Sequence, residues 1–105
     1  MKVYLDDVRI APDGWVRTWW PEEVIELLKT GEVTEISLDH DLGDHFDRPA
    51  GVKKERTGYD VLLWIERAVI LEGFKPPVIH IHTANWVAEA RMKVARENIY
   101  RNASG

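Results

Sequence analysis

The chain has 105 residues, a formal charge of −4, 45% hydrophobic and 30% charged residues, and no cysteine. That length holds one compact domain, residues 1–105, and is too short for two ordinary ones; the composition is that of a folded core. The acidic balance argues against non-specific binding of duplex DNA, and the missing thiols exclude disulfides and thiolate metal sites, while a local basic patch could still hold a small phosphorylated ligand.

Residues 2–5 (KVYL) are short, apolar and bounded by Asp6 and Asp7, which reads as a buried strand. The apolar run is too short for a signal peptide and no stretch approaches a membrane span, so a soluble cytoplasmic protein without membrane contact is expected. "APDGW" (11–15) is a turn, and residues 16–19 form a brief second strand. Pro21, followed by Glu22 and Glu23, opens a helix that ends near Gly31, with Val24, Leu27 and Leu28 on its apolar stripe.

Residues 33–38 read as a strand that runs into "SLDHDLGDHFD" (37–47), where four aspartates and two histidines crowd into eleven residues. Residues 43–57 form the longest loop and carry Arg48, Lys53, Lys54 and Arg56. Thr57 with Asp60 resembles a capping box for a helix over 58–72, apolar nearly all round and therefore expected to be well buried. Residues 77–83 (PVIHIHT) are a strand, and Asn85 can cap a last helix from Trp86 to about Asn98.

Strands separated by helical segments in this order argue for an α/β fold with a mostly parallel sheet. In such sheets ligands sit at the carboxyl ends of the strands. Asp6-Asp7, Asp39-His40-Asp41 and the "HIHT" of residues 80–83 all fall at those ends, so three polar clusters should meet at one edge.

Carboxylates brought together repel one another unless a cation joins them. Asp6, Asp7, Asp39 and Asp41 are thus candidate ligands of Mg²⁺ or Mn²⁺, with Zn²⁺ a further option beside histidine. The plainer reading of Asp6-Asp7 is a strand-end turn that caps backbone amides; Asp44, His45 and Asp47 read as ordinary loop residues. His80 and His82 share one side of their strand. His82, nearer the edge, is the candidate general acid or base, and His80 is a satisfied core histidine. His40 joins the catalytic candidates if the strand kinks, whereas a regular strand turns it away. Arg9 and Lys53 are candidates for phosphate recognition, and so are Thr83 and Asn85, whose plainer roles are strand end and cap. Trp64 belongs to the core; Trp15, Trp20 and Trp86 flank the proposed mouth and could stack a base or simply pack. An exposed edge of a short sheet offers a second copy a place to pair as a homodimer.

With these residues placed, the chain resembles a receiver domain of the response-regulator type. "VYLDD" is similar to the paired acids after that family's first strand. "VRTWWPEEVIELLKTGEVTEISLDHDLG" resembles its second strand, second helix and third strand, which puts Asp39 on the phospho-accepting aspartate. "TGYDVLLWI" looks like the third helix, and "PPVIHIHTAN" like the fourth strand, with Thr83 on the hydroxyl position. The stretch between Asp7 and Trp15 is too short for a first helix, and no lysine follows a fifth strand. The blocks "LDDVRIAPDGW", "SLDHDLG", "TGYD" and a strand ending in H-T-A-N are similar to the cyclic-phosphate-processing receiver-like domains.

The resemblance implies a small receiver-like (flavodoxin-like) fold with helices on both faces of the sheet, lacking the first helix and the last strand–helix unit. It implies hydrolysis of a cyclic phosphate on a nucleotide, an ADP-ribose derivative or an RNA end. Two other readings stand beside it: a non-catalytic module that sequesters a nucleotide, and a degenerate receiver that takes phosphate on Asp39.

Overall fold

The computed structural model describes residues 1–40 and 57–104. Its elements follow in the order β1 (Lys2–Leu5), β2 (Trp15–Thr18), α1 (Pro21–Lys29), β3 (Glu35–Leu38), α2 (Gly58–Glu72), β4 (Val78–Ile81) and α3 (Trp86–Ser104). The strands form one sheet in the order β2-β1-β3-β4, and every pairing is parallel. The receiver-like α/β architecture expected from the sequence is the one observed.

Local chemistry sets each helix boundary. At α1, Glu23 Oε1 accepts the N–H groups of Trp19 and Trp20, both at 3.0 Å, and the chain leaves the helix through Gly31 at φ 77°. At α2, Thr57 Oγ1 accepts the Tyr59 N–H (3.2 Å) while Asp60 Oδ2 accepts the Thr57 N–H (2.6 Å); these satisfy donors that a helix start leaves open. Gly73 ends that helix in the left-handed region. Asn85 Oδ1 accepts the Ala88 N–H at 3.0 Å and so caps α3, which runs to Ser104, past the end expected near Asn98. Met92, Ala95 and Ile99 supply its buried stripe.

All three helices pack on one face of the sheet. Val24 and Leu28 of α1, Val61, Leu62, Ile65 and Val69 of α2, and Met92, Ala95 and Ile99 of α3 form a single cluster with Val3, Leu5, Ile36, Leu38 and Ile79. Helices on both faces, the distribution expected from the resemblance, are therefore not found among the described residues. Handedness explains the difference. The crossovers β2-α1-β3 and β3-α2-β4 advance in the same direction across the sheet, so right-handed connections put both helices on the same side. The β1–β2 connection runs the other way and contains no helix among residues 6–14. The opposite face, without a helix among the described residues, carries Lys2, Tyr4, Trp15, Arg17, Glu35, Ser37, Val78 and His80 in register. Nor is α2 buried all round: Leu63, Ile70 and Leu71 are exposed. No helix among the described residues is long and apolar enough to cross a membrane.

Candidate metal centre

The ladder continues one hydrogen bond beyond the strand ends. Asp6 N–H donates to the Thr18 carbonyl (3.1 Å), Asp39 N–H to the Leu5 carbonyl (3.0 Å) and His82 N–H to the Leu38 carbonyl (3.0 Å). The two-residue side-chain period then sends Asp6, Asp39 and His82 to the side that bears Tyr4, Ser37 and His80. The convergence inferred from strand order is thus built by the backbone itself.

Asp6, Asp7 and Asp39 each bring a carboxylate oxygen into a group whose members lie within 4.8 Å of one another. Asp6 is only 1% exposed. Its Oδ1 accepts the N–H groups of Val8 (2.8 Å) and Arg9 (2.9 Å), and its Oδ2 lies 3.0 Å from His82 Nε2. Burial by itself works to raise the Asp6 pKa; the Arg9 and Val8 amides and His82 outweigh it, so Asp6 sits below its ordinary value and stays ionised. Asp39 shifts the other way. Burial and then the negative charge of Asp6 push its pKa up, against the Thr83 hydroxyl, the His40 N–H and His82. A group of hard oxygen atoms in which one carboxylate raises the pKa of another suits a divalent cation, which cancels the repulsion.

The plainer reading of Asp6 as a turn cap holds as well, since two amides bond Oδ1. A carboxylate has lone pairs enough for both roles.

His82 stacks on Tyr4, ring centres 4.3 Å apart and planes 6° from parallel. Both its ring nitrogens are engaged: Nε2 with Asp6 and Nδ1 with Ser37 Oγ at 2.6 Å. Burial, helped by Arg9, lowers its pKa more than Asp6 and Asp39 raise it, so the ring is neutral near pH 7.

Arg9 lies over the edge of the site. Its Nη1 donates to the His82 carbonyl (3.3 Å), its Nε is 4.0 Å from Asp6 Oδ2, and 55% of its side chain is exposed. The Thr83 hydroxyl bonds the Asp39 carboxyl group and accepts the Asn85 N–H at 3.2 Å. Asn85 serves as the cap of α3. The His40 N–H bonds Asp39 Oδ1 at 2.8 Å, and its ring is not part of the carboxylate group. Asp41 and Lys53 lie outside the described residues.

His80 is not a core histidine: its side chain is 52% exposed and Nε2 is 3.2 Å from Glu35 Oε2. Trp15 lies on the sheet face, edge-on to Tyr4 and His80, and Trp86 is exposed. A cavity of about 510 Å³ lies near Val33, Phe74, Pro76 and Pro77, at the opposite end of the sheet from the acids.

Three residues of the site were missed in the sequence reading: Tyr4, Ser37 and Gly58. Ser37 could have been found from parallel register, which pairs it with His80 and leaves His82 two residues further along the same side. Gly58 has its own signal in "TGYD", a glycine where the helix begins. A Cβ there would run into the Asp39 carbonyl.

The family model described as the cyclic-phosphate processing receiver domain matches residues 1–98. No curated protein and no solved structure matches the chain.

Proposed function

The chain belongs to the cyclic-phosphate processing receiver family, and from that premise we propose that it is a metal-assisted phosphoesterase that opens a cyclic phosphate on a nucleotide, an ADP-ribose derivative or an RNA end. The observation that carries the proposal is the meeting of Asp6, Asp7 and Asp39 within 4.8 Å. An anion site gains nothing from clustered acids unless a cation stands between them and the phosphate. Mg²⁺ or Mn²⁺ (or Zn²⁺) held there would polarise the phosphate and lower the pKa of a coordinated water.

The chain's own residues supply the rest. Arg9, half-exposed beside Asp6, meets the phosphate charge that grows as water adds to phosphorus. Thr83 holds Asp39, and Asn85 holds the following helix start. In the reaction water adds to phosphorus, one ring P–O bond breaks, and the departing oxygen takes up a proton, leaving a phosphomonoester. With both ring nitrogens engaged, His82 is read as a support for Asp6 rather than as the group that meets substrate. That same engagement favours a second reading, a module that binds the phosphate without turning it over.

The test is a panel of nucleoside 2′,3′-cyclic phosphates, an ADP-ribose cyclic phosphate and cyclic dinucleotides, each with Mg²⁺, Mn²⁺ or Zn²⁺. Turnover lost in Asp39→Asn supports the phosphoesterase; metal-dependent binding without product supports the binding module. Stoichiometric labelling by acetyl phosphate, lost in the same variant, would point instead to a phospho-accepting receiver.

A further inference from the structure

Ser37, His82 and Asp6 form a continuous hydrogen-bonded chain: Ser37 Oγ to His82 Nδ1 at 2.6 Å and His82 Nε2 to Asp6 Oδ2 at 3.0 Å. The order Ser-His-Asp invites comparison with nucleophilic triads, in which the serine attacks substrate. Burial argues against that role here. Ser37 lies in the middle of β3 and is 7% exposed. An attacking oxygen must reach phosphorus, and this one is enclosed.

The proton positions follow from the partners. A carboxylate that serves a cation can only accept, so Nε2 carries the proton that bonds it. Asp6 thereby sets which ring nitrogen is protonated, and the Ser37 hydroxyl at Nδ1 fixes where the ring stands. Stacking on Tyr4 fixes the ring plane. Resting on the metal-site reading given above, we propose that Ser37 is a positioning residue: its hydroxyl holds the His82 ring in place, so that Nε2–H stays on Asp6 and fixes that carboxylate for its cation. Three donors then hold Asp6, two amides on Oδ1 and one imidazole on Oδ2. Outer partners of this kind commonly tune metal affinity about 10–100-fold.

The experiment reads the His82 ring nitrogens by ¹⁵N NMR at neutral pH and measures Mn²⁺ binding by calorimetry, for wild type, Ser37→Ala and Ser37→Thr. The wild type should show a proton on Nε2. Ser37→Ala should shift the His82 ring nitrogen resonances and weaken Mn²⁺ binding about tenfold, and Ser37→Thr, which keeps the hydroxyl, should restore both. A wild-type ring protonated at Nδ1, or a Ser37→Ala ring pattern identical to wild type, overturns the proposal. Absence of Mn²⁺ binding by a wild type with the expected ring pattern overturns the metal reading and leaves the Ser37–His82 contact supported. Circular dichroism of Ser37→Ala separates a lost contact from a lost fold.

Discussion

The first residue of α2, Gly58, faces the main-chain carbonyl of Asp39 so closely that a side chain at position 58 would collide with it, and Met92 Cε would lie 3.3 Å from the added carbon. The helix start therefore helps set the height of Asp39 at the end of β3. The obstacle is backbone, which cannot swing aside as a flexible side chain would.

Gly58→Ala should consequently cost stability, although alanine is the better helix former. Overpacking of this kind costs about 1–3 kcal/mol, which urea unfolding would detect as a lower midpoint at unchanged slope. Because Asp39 has to move, Mn²⁺ affinity should fall in the same variant. A variant as stable as wild type would show that α2 does not pin Asp39.

Asp39 and Asp6 contribute to stability with opposite signs as pH changes. The Asp39 pKa is raised in the folded state, so its favourable contribution is complete below the unfolded value and is lost as pH rises through the folded one. Asp39→Asn should therefore raise the melting temperature at pH 7 in EDTA, and the gain should vanish below the ordinary aspartate value of 3.8. With saturating Mn²⁺ the order reverses, since only the wild type gains the binding energy. Asp6, with its pKa lowered, stabilises above the unfolded value and loses that contribution as pH falls through the folded one.

His82 gives a separate signal at milder pH. Its folded pKa lies below the ordinary histidine value of 6.5, so the stability it supplies is present above that pH and drains as pH falls through the folded pKa. Metal-free wild type should lose stability through this window in chemical unfolding experiments. His82→Asn should start less stable at pH 7 and show a flatter dependence there. Parallel curves would remove His82 from the pH response.

Arg9→Ala should leave unfolding nearly unchanged, within about 0.5 kcal/mol, because its side chain is half-exposed and its contacts with Asp6 and the His82 carbonyl are long. Its effect belongs to the ligand. Affinity for a nucleoside 2′,3′-cyclic phosphate should drop about tenfold or more, in line with loss of a charge-assisted hydrogen bond. Titration calorimetry of the two proteins under the same metal load is the check.

Much of this arrangement is legible in the sequence, for a physical reason. Strand runs bounded by Asp6-Asp7, by Asp39 and by His82-Thr83 all end at one edge once the strands are parallel, as the helical crossovers β2-α1-β3 and β3-α2-β4 require. Parallel strands put those ends together, and the ladder bonds at Asp6, Asp39 and His82 confirm the edge. The second strand came out one residue early, at Trp15–Thr18, as short elements do. What the sequence hid was partnership across strands. Ser37 reads as an unremarkable polar residue until β3 is laid beside β4, and Tyr4 reads as core until His82 is stacked on it. That no helix among the described residues covers the second face was hidden too, because amphipathic patterns say that a helix has a buried side without saying which face of the sheet receives it.

Asp6, Asp7 and Asp39 are proposed to hold a cation that opens a cyclic phosphate. The most direct measurement follows a nucleoside 2′,3′-cyclic phosphate and an ADP-ribose cyclic phosphate by ³¹P NMR, with protein, Mg²⁺ and ¹⁸O-labelled water. At least one of them should convert to a phosphomonoester carrying the label on phosphorus, a conversion abolished by EDTA and by Asp39→Asn. Protein that binds Mg²⁺ and these compounds yet leaves the cyclic resonances unchanged would overturn that proposal.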